Sequence, residues 1–540
     1  MSKAADMAKA SVRGGFHVMW GLIASTVISA IGSIILALVL GASNYGLYTV
    51  VLAGPTLIGM FQDLGINYAV TRYSARLNAE NKASEIRSIF LSGFMIKSLL
   101  GLGLSFFCLL LSPYLAVNVF HRSLIAPLIQ TASFIILGQT LVNTATAAFT
   151  GVEKMHLNSV MVVSQSIIKT VLAPALVIIG LSLYGAVIGY TAAYLITALI
   201  GISLVWTIYK SLPGLAQNKL DIVKNVKMLL RFGLPLSFGD IISGFLTQFY
   251  TFLLAIYVTS NALIGNYSLA SNFLVIITFV SMPINTMLFP AFSKLDADTE
   301  RATLKNVYQS SVKYTTLLVT PVIGIMMALS GPGISTIFGH SYSLAPFDLS
   351  LLAINYVFLA FGMYSTNNLI NSQNQAAIKI ALAFVTVGMG VTLGLITIPR
   401  FGVLGMLITL IFDGVPGIVI GLVFIKKRYD TTVDWGSSGK IILSSAVAAF
   451  LSYFVVKLTL PSLIQLIIGI GIFLSSFTAM IVLTKAITET DIINLREMTS
   501  VLGPISKIVN TILTLIEKLM NTFNNRQNIR KNKTDSDFHD

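Results

Sequence analysis

The chain has 540 residues, of which 55% are hydrophobic and only 10% are charged, and its mean hydropathy is +0.83. Soluble globular proteins carry about 25% charged residues, so a chain of this composition cannot cover its surface with polar groups in water. It belongs in a lipid bilayer, which excludes a large soluble enzyme. The single cysteine, Cys108, excludes an intrachain disulfide and a cysteine metal cluster.

Fourteen apolar segments are long enough to cross a membrane as helices. A helix needs about 20 apolar residues to span roughly 30 Å of hydrocarbon. The first run is about 25 residues long, longer than the core of a signal peptide, so we expect the first helix to be retained. The predicted spans are 16–40, 46–69, 89–112, 123–149, 157–180, 183–208, 232–258, 263–289, 314–338, 347–371, 380–398, 402–425, 441–457 and 462–485.

Basic residues are distributed unevenly between the predicted loops. With the N-terminus on the cytoplasmic side, the segments on that side hold 30 of the 35 Lys and Arg residues, and the outside loops keep Arg122 and Arg400. Cytoplasmic loops of membrane proteins generally carry such an excess. We therefore predict a multi-pass protein of the plasma membrane with both termini in the cytoplasm. The formal net charge of +14 is thus a topology signal spread over many loops, which argues against a nucleic-acid partner.

Two segments of the chain resemble each other at a separation of 219 residues. GASNYGLY (41–48) parallels SNALIGNY (260–267), which aligns Gly46 with Gly265. We therefore predict two pseudo-symmetric six-helix lobes followed by two further helices, and parallel repeats place a transporter's substrate site at their interface near the midplane. The predicted domains are an N-terminal lobe at 1–210, a cytoplasmic connector at 211–231, a C-terminal lobe at 232–428, spans thirteen and fourteen at 429–485, and a cytoplasmic tail at 486–540.

Three stretches of the chain form a recognisable pattern: LGASNYGLYTVVLA (40–53), FQDLGINYAVTRYSA (61–75) and FTGVEKMHLNS (149–159). In these stretches the chain resembles the multidrug/oligosaccharidyl-lipid/polysaccharide exporter superfamily. Within the superfamily it is similar to the polysaccharide-transport branch, the Wzx-like oligosaccharide flippases. The resemblance implies an all-α polytopic fold that moves a polyprenyl-(pyro)phosphate-linked glycan outward by alternating access. The second half departs from the pattern, because SQNQAAIK (372–379) has no basic residue at the place of Lys154.

Two lysines lie within predicted spans of the first lobe. A charged group at the bilayer centre costs about 2.5–3.5 kcal/mol on insertion scales, and such residues mark partners or substrate pathways. Lys97 lies about nine residues into span three, and Lys169 lies near the middle of span five. We interpret both as lining a cationic cavity that holds the lipid phosphate or pyrophosphate. For Lys97 the alternative is that its amine reaches water on the cytoplasmic side.

The predicted spans of the second lobe carry acids. Asp240 lies in a polar stripe of span seven, and Asp413 lies in span twelve beside Gly414, Pro416 and Gly417, which weaken a helix. A carboxylate beside a broken helix can bind a cation or titrate, so both acids are candidates for H⁺ or Na⁺ coupling. The alternative is a structural pair between an Asp and a Lys of the other lobe. We expect no other cofactor and no metal.

Asp63 lies near the cytoplasmic end of span two, shortly before Arg72 and Arg76. We expect it to pair with one of these arginines, or with the N-terminus of the next helix, and so to fix the inner end of the span. Gating of the inward mouth by Asp63 and Arg72 is the second interpretation.

Polar side chains cluster on span ten. Asn355, Tyr364 and Asn367 are candidate glycan contacts, because amides hydrogen-bond sugar hydroxyls and aromatic faces stack on sugars. Hydrogen bonds between helices explain these residues equally well. In the tail, apolar side chains of 505–523 share one helical face, which predicts an in-plane amphipathic helix on the inner leaflet or a helix that packs on a partner.

Taken together, the residues and the resemblance predict a flippase for lipid-linked oligosaccharide, serving the assembly of a polysaccharide or a glycoprotein glycan. Its partners would be membrane lipids and glycan-assembly enzymes. The alternative is an ion-coupled exporter of drugs or organic cations from the same superfamily, which would carry an acid rather than lysines in its first-lobe cavity. An enzyme is disfavoured, because the outside loops are only about 4–12 residues long and nearly uncharged.

Overall fold

The computed structural model describes residues 3–212, 222–297 and 299–500, and residues 510–522 except 512 and 515. Every regular element in these ranges is helical. The α-helices are α1 (Lys3–Gly59), α2 (Ile66–Ala79), α3 (Ala83–Tyr114), α4 (Ala126–Gly151), α5 (Met155–Leu176), α6 (Ser182–Ser211), α7 (Ile222–Tyr257), α8 (Asn261–Phe273), α9 (Val275–Ser293), α10 (Arg301–Phe338), α11 (Ala345–Asn355), α12 (Met363–Ser372), α13 (Ala376–Phe401), α14 (Val403–Phe412), α15 (Val415–Tyr429), α16 (Trp435–Val456), α17 (Ser462–Leu483) and α18 (Glu489–Ser500).

The described helices include ten that are long and apolar enough to cross a membrane, and two bent pairs raise the number to twelve. One bent pair is Ile222–Gly239 with Gly244–Tyr257, at 63°, and the other is Ala345–Phe361 with Met363–Ser372, at 49°. The protein is therefore an all-α multi-pass membrane protein, which confirms the class predicted from composition.

Two of the ten candidates are nearly three times as long as one crossing requires. Trp20–Ala79 has 60 residues and Met155–Ser211 has 57, whereas about 20 suffice for a bilayer. Each contains a glycine whose backbone is not helical: Gly41, with φ of 69°, and Gly180, with φ of 108°. Residues with a side chain avoid positive φ, so these glycines are the positions where the chain can change direction.

The helices pack into two compact units. Unit 1 consists of the described residues within Met1–Val275, Ser341–Asp348 and Ile380–Gly417, and unit 2 of those within Ile276–His340, Leu349–Lys379 and Ile418–Asp540. Packing therefore groups α7, α8, α13 and α14 with the first six helices. The predicted lobes at 1–210 and 232–428 divide these helices differently, by sequence repeat, and that division stays a prediction.

In unit 1 the packing of α1 against α8 follows the repeat. A methyl group added to Gly46 would overlap the carbonyl of Asn261, and one added to Gly265 would overlap the carbonyl of Ala42. The positions 42 and 261 differ by 219, as do 46 and 265, so the two contacts are each other's equivalents. Small residues of this kind allow helix backbones to approach closely inside a membrane.

A hydrogen bond between the same helices repeats this relation. Thr49 Oγ1 donates to Ser268 Oγ at 3.0 Å, and these residues are again 219 apart. Reciprocal contacts between equivalent positions are what a two-fold relation produces. The contacts therefore support the internal repeat, at the pair of positions that the sequence aligns.

The core of unit 2 includes part of the tail. Leu513 and Ile516 are buried in one apolar cluster with Ile492 and Leu495. The described part of the predicted amphipathic helix at 505–523 therefore packs against protein. Residues 505–509, 512, 515 and 523 of that helix lie outside the described residues.

Candidate functional site

Lys97 and Asp63 form an ion pair inside unit 1. The Nζ atom of Lys97 donates to Asp63 Oδ1 and to the carbonyl of Gln62, both at 2.9 Å. The Lys97 side chain is 0% exposed and that of Asp63 is 30% exposed. The lysine on α3 therefore does not extend to water, and its charge is compensated at the end of the short helix that precedes α2. A phosphate-binding role for Lys97 stays a prediction.

Asp63 also organises the start of α2. Its Oδ1 atom accepts a hydrogen bond from the backbone N–H of Asn67 at 3.2 Å. Of the alternatives expected for Asp63, the structure therefore has the contact with the N-terminus of the next helix, and among the described residues no ion pair joins Asp63 to Arg72 or Arg76. The guanidinium of Arg72 lies 4.3 Å from the ring centroid of Phe232, and Arg76 pairs with Glu80 at 2.9 Å. The ion pair with Asp63 stabilises the buried ammonium of Lys97 more than it would stabilise either arginine, because both arginines remain solvated.

Lys169 has a different environment. It lies on α5, and its Nζ atom is 4.8 Å from the ring centroid of Tyr190 on α6. Over the described ranges it has neither a carboxylate partner nor a hydrogen-bond acceptor, and its side chain is partly exposed. A cation over an aromatic face is stabilised by roughly 0.5–2 kcal/mol. All three donors of the ammonium therefore stay available for a ligand.

Four tyrosines, which we call the tyrosine cluster, extend from this lysine. The cluster consists of Tyr45 and Tyr48 of α1 and Tyr190 and Tyr194 of α6. Successive ring centroids lie 6.1 Å (Tyr45–Tyr48), 6.1 Å (Tyr48–Tyr190) and 5.4 Å (Tyr190–Tyr194) apart. The sequence analysis missed this cluster. The signal was present as tyrosines spaced by three and by four residues inside apolar spans, which places each pair on one helix face.

Asp413 lies at a break between helices, as its neighbours predict. α14 ends at Phe412 and α15 begins at Val415. The Asp413 Oδ2 atom accepts a hydrogen bond from the hydroxyl of Tyr250 at 2.8 Å, and Tyr250 itself is buried. The partner of this carboxylate in unit 1 is therefore a tyrosine of α7, where a lysine of the other lobe was the alternative.

Asp240 lies within the bend of α7. The helix changes direction by 63° between Gly239 and Gly244. Gly239 belongs to the polar stripe of span seven. The side chain of Asp240 lies outside the described residues. Its candidate role in coupling therefore rests on its position alone.

The candidate glycan contacts belong to unit 2. The hydroxyl of Tyr364 lies 3.4 Å from that of Ser281, and Asn368 donates to Asn285 at 2.7 Å, so part of the span-ten cluster makes hydrogen bonds between helices. Asn355 is half-buried and Asn367 is exposed.

The family of the chain follows from a comparison with known protein families. A model of the polysaccharide biosynthesis protein family matches residues 11–296, more than half of the 540 residues. The chain belongs to this family. Its members are flippase-like transporters rather than enzymes, which confirms the predicted class.

Two curated proteins are similar to this family member. An uncharacterized membrane protein of Methanocaldococcus jannaschii is 20% identical over 383 residues, which cover 68% of this chain and 75% of that protein. The probable low-salt glycan biosynthesis flippase Agl15 of Haloferax volcanii is 23% identical over 304 residues, which cover 54% of this chain and 61% of the flippase. The aligned part thus spans less than two thirds of the second relative.

Solved structures share the fold. The lipid II flippase MurJ in an inward closed conformation matches with a TM-score of 0.67 at 17% identity, over 86% of this chain and 98% of MurJ. An inward-facing multidrug transporter of the multidrug/oligosaccharidyl-lipid/polysaccharide superfamily matches with a TM-score of 0.58 at 16% identity, over 75% of this chain and 94% of the transporter. At such identities the likeness concerns the fold alone, and it is the all-α fold that the resemblance implies.

Proposed function

We propose that this family member is a flippase that moves a polyprenyl-(pyro)phosphate-linked oligosaccharide from the inner to the outer leaflet by alternating access. The observation that carries the proposal is Lys169, a lysine within a span whose described contact is an aromatic ring. Maintaining a charge at this depth is unfavourable unless it serves a partner or a substrate. A phosphate group supplies both the opposite charge and several acceptor oxygens for the three donors of the ammonium.

The tyrosine cluster suits the sugar next to that phosphate. Tyr190 contacts Lys169 directly and, like Tyr194 beside it, is partly exposed, whereas Tyr45 and Tyr48 are buried. Tyrosine combines an apolar face with a hydroxyl that donates and accepts hydrogen bonds, which matches the two kinds of surface of a sugar ring. Asn355, Tyr364 and Asn367 of unit 2 remain candidate glycan contacts.

Lys97 has a secondary part in this proposal. Its amine is engaged by Asp63 and Gln62, so a phosphate would have to replace the carboxylate. We therefore assign phosphate binding first to Lys169, and to Lys97 only in a conformation that opens the pair. Asp63 and Arg72, at the inner end of span two, would then respond to the same movement.

Ion coupling is assigned to the acids of the second half. Asp413 lies at a helix break and accepts a hydrogen bond from Tyr250, so gain of a proton or a sodium ion there would change the contact between α7 and the broken span. Half-helix ends beside unwound backbone are the usual ion sites of secondary transporters. Asp240, in the bend of α7, is the second candidate.

We propose fourteen spans with both termini in the cytoplasm of the plasma membrane. Ten candidate helices, two of which divide in two at Gly41 and Gly180, together with two bent pairs give fourteen. The even number places both termini on one side, and the excess of basic residues identifies that side as the cytoplasm. Membrane lipids and glycan-assembly enzymes are the partners that this location implies.

Flipping in proteoliposomes tests this function. A fluorescent lipid-linked oligosaccharide is placed in the inner or outer leaflet, and its movement is followed by quenching of the accessible leaflet. We expect the protein to accelerate movement of the lipid-linked oligosaccharide over protein-free vesicles. Accumulation of organic cations with no movement of the glycolipid would instead establish the exporter function of the superfamily.

A further inference from the structure

A surface cavity of unit 1, separate from Lys169 and from the Lys97–Asp63 pair, lies between α2 and the first turns of α7. It has a volume of about 540 Å³ and is lined by Tyr73, Lys224, Lys227, Met228, Arg231 and Phe232. We call this cavity the basic pocket. From sequence, its basic residues carry only a topology signal, because the predicted cytoplasmic segments hold most of the lysines and arginines.

The walls of the basic pocket are formed by side chains from two helices. Lys227 and Arg231 are exposed and lie one turn apart on the same face of α7. From α2, the ring of Tyr73 meets that of Phe232 edge-on with centroids 5.8 Å apart, and the guanidinium of Arg72 lies over the same ring. The pocket thus has an aromatic wall beside a row of cations.

The two helices approach each other closely next to the pocket. A methyl group on Gly233 would overlap the backbone of Gly65, and the reverse also holds. α2 belongs to the first sequence repeat and α7 to the second. The basic pocket therefore lies where the two repeats meet at one end of the spans.

Among the described residues, no acid forms an ion pair with Lys227 or Arg231. The lining contains three basic side chains and, among the described residues, no acidic one. Two acids that flank α2 have partners elsewhere: Asp63 pairs with Lys97, and Glu80 pairs with Arg76 and Lys82. A topology signal requires basic residues on one side of the membrane, but it does not require them to converge on one cavity with an aromatic wall.

We propose that the basic pocket binds the phosphate group of a lipid headgroup. Basic pockets between spans on the cytoplasmic side suit anionic headgroups, and its volume lies in the range of small-molecule sites. Arg231 can engage phosphate oxygens in pairs, and Lys227 adds a point charge. Two lipids carry this chemistry: bulk anionic phospholipid and the polyprenyl pyrophosphate of the substrate, the second of which rests on the proposed function. If the lipid is the polyprenyl pyrophosphate, the pocket is a docking site that the headgroup occupies before transport.

Binding in neutral nanodiscs tests the proposal. All proteins carry Lys169→Ala, so that the proposed transport site does not contribute and failure of the flippase hypothesis does not affect the result. Polyprenyl pyrophosphate is titrated, with phosphatidylglycerol and inorganic pyrophosphate as competitors. The test variant is Lys227→Gln with Arg231→Gln. The matched control is Lys426→Gln with Lys427→Gln, an exposed pair at the end of α15.

The parent protein should bind polyprenyl pyrophosphate saturably, and the test variant should bind it about 25-fold more weakly. This follows because each basic residue near an anionic headgroup contributes roughly a fivefold factor. A charge-preserving variant, Lys227→Arg with Arg231→Lys, should stay within about fivefold of the parent. Equal competition by phosphatidylglycerol would identify a general phospholipid site, and weak competition would identify the substrate.

Three results would overturn the proposal. If the pocket holds the headgroup, the test variant must bind the lipid more than twofold more weakly than the parent. Binding within twofold of the parent would therefore refute the proposal. An equal loss in the Lys426/Lys427 control would mean that overall charge, and not the pocket, attracts the lipid. Competition by inorganic pyrophosphate as strong as that of the lipid form would refute a lipid site.

Discussion

Removing the carboxylate of Asp63 should destabilise the protein much more than removing the amine of Lys97. Asp63→Asn leaves an ammonium that is 0% exposed without its counter-charge, which costs about 3–5 kcal/mol for a buried pair. Lys97→Met fills a similar volume and leaves a carboxylate that is 30% exposed and still accepts from the Asn67 N–H, so the cost should be about 1–2 kcal/mol. The double variant should return to within about 2 kcal/mol of the wild type, because no uncompensated charge remains.

The assay is equilibrium unfolding in mixed micelles of a mild detergent and dodecyl sulfate, with all four proteins in one double-mutant cycle. The expected coupling energy is about 2 kcal/mol or more, in the range for residues in direct contact. Equal costs for the two single variants, with additive behaviour in the double variant, would refute a buried ion pair between α3 and the segment that precedes α2.

Three further predictions concern packing, capping and coupling. Gly46→Val should lower the free energy of unfolding by about 2 kcal/mol or more, because the new side chain meets the backbone of α8. Gly103→Val should lower it by less than about 1 kcal/mol, since the space at its Cβ position is open. Equilibrium unfolding of both variants checks this difference. Asp434 accepts from the Ser437 N–H at the start of α16. Hydrogen bonding with the Ser437 side chain, and to a smaller extent with that N–H, holds the pKa of Asp434 below the usual range. The contribution of Asp434 to the free energy of unfolding should be present above about pH 4 and disappear as pH falls through the lowered folded-state pKa. Asp434→Ala should cost about 1 kcal/mol at pH 7, and Asp434→Asn should make pH-dependent unfolding curves less steep in acid by this one group. Asp413→Asn should abolish stimulation of flipping by an imposed proton or sodium gradient while leaving substrate binding intact, and unchanged stimulation would exclude this residue from coupling.

The features that depend on local sequence could be predicted. Apolar length fixes where a helix can cross a membrane, and the helix break at Asp413 follows from Gly414 and Pro416 beside it. The alignment of Gly46 with Gly265 also indicates where α1 and α8 touch, because residues near an axis of two-fold symmetry contact their own equivalents.

The features that depend on how helices are rotated against each other could not be predicted. Lys97 and Asp63 are 34 residues apart, and hydropathy does not reveal which face of α3 meets the end of α1. Arg72 or Arg76 was one expected partner of Asp63, although an exposed arginine gains little from an ion pair. Likewise, the link between Lys169 and Tyr190 depends on the side-by-side packing of α5 and α6.

The central claim is that the ammonium of Lys169 binds the phosphate of the substrate during transport. Initial rates of flipping of a fluorescent lipid-linked oligosaccharide test it most directly, in proteoliposomes with wild type, Lys169→Ala, Lys169→Arg, Lys97→Ala and, as a control near the outer end of span thirteen, Lys457→Ala. We predict a loss of about 10- to 100-fold for Lys169→Ala, from one charge-assisted contact, with partial recovery in Lys169→Arg and no loss in Lys457→Ala. A Lys169→Ala protein that folds and flips the oligosaccharide at the wild-type rate would contradict the claim.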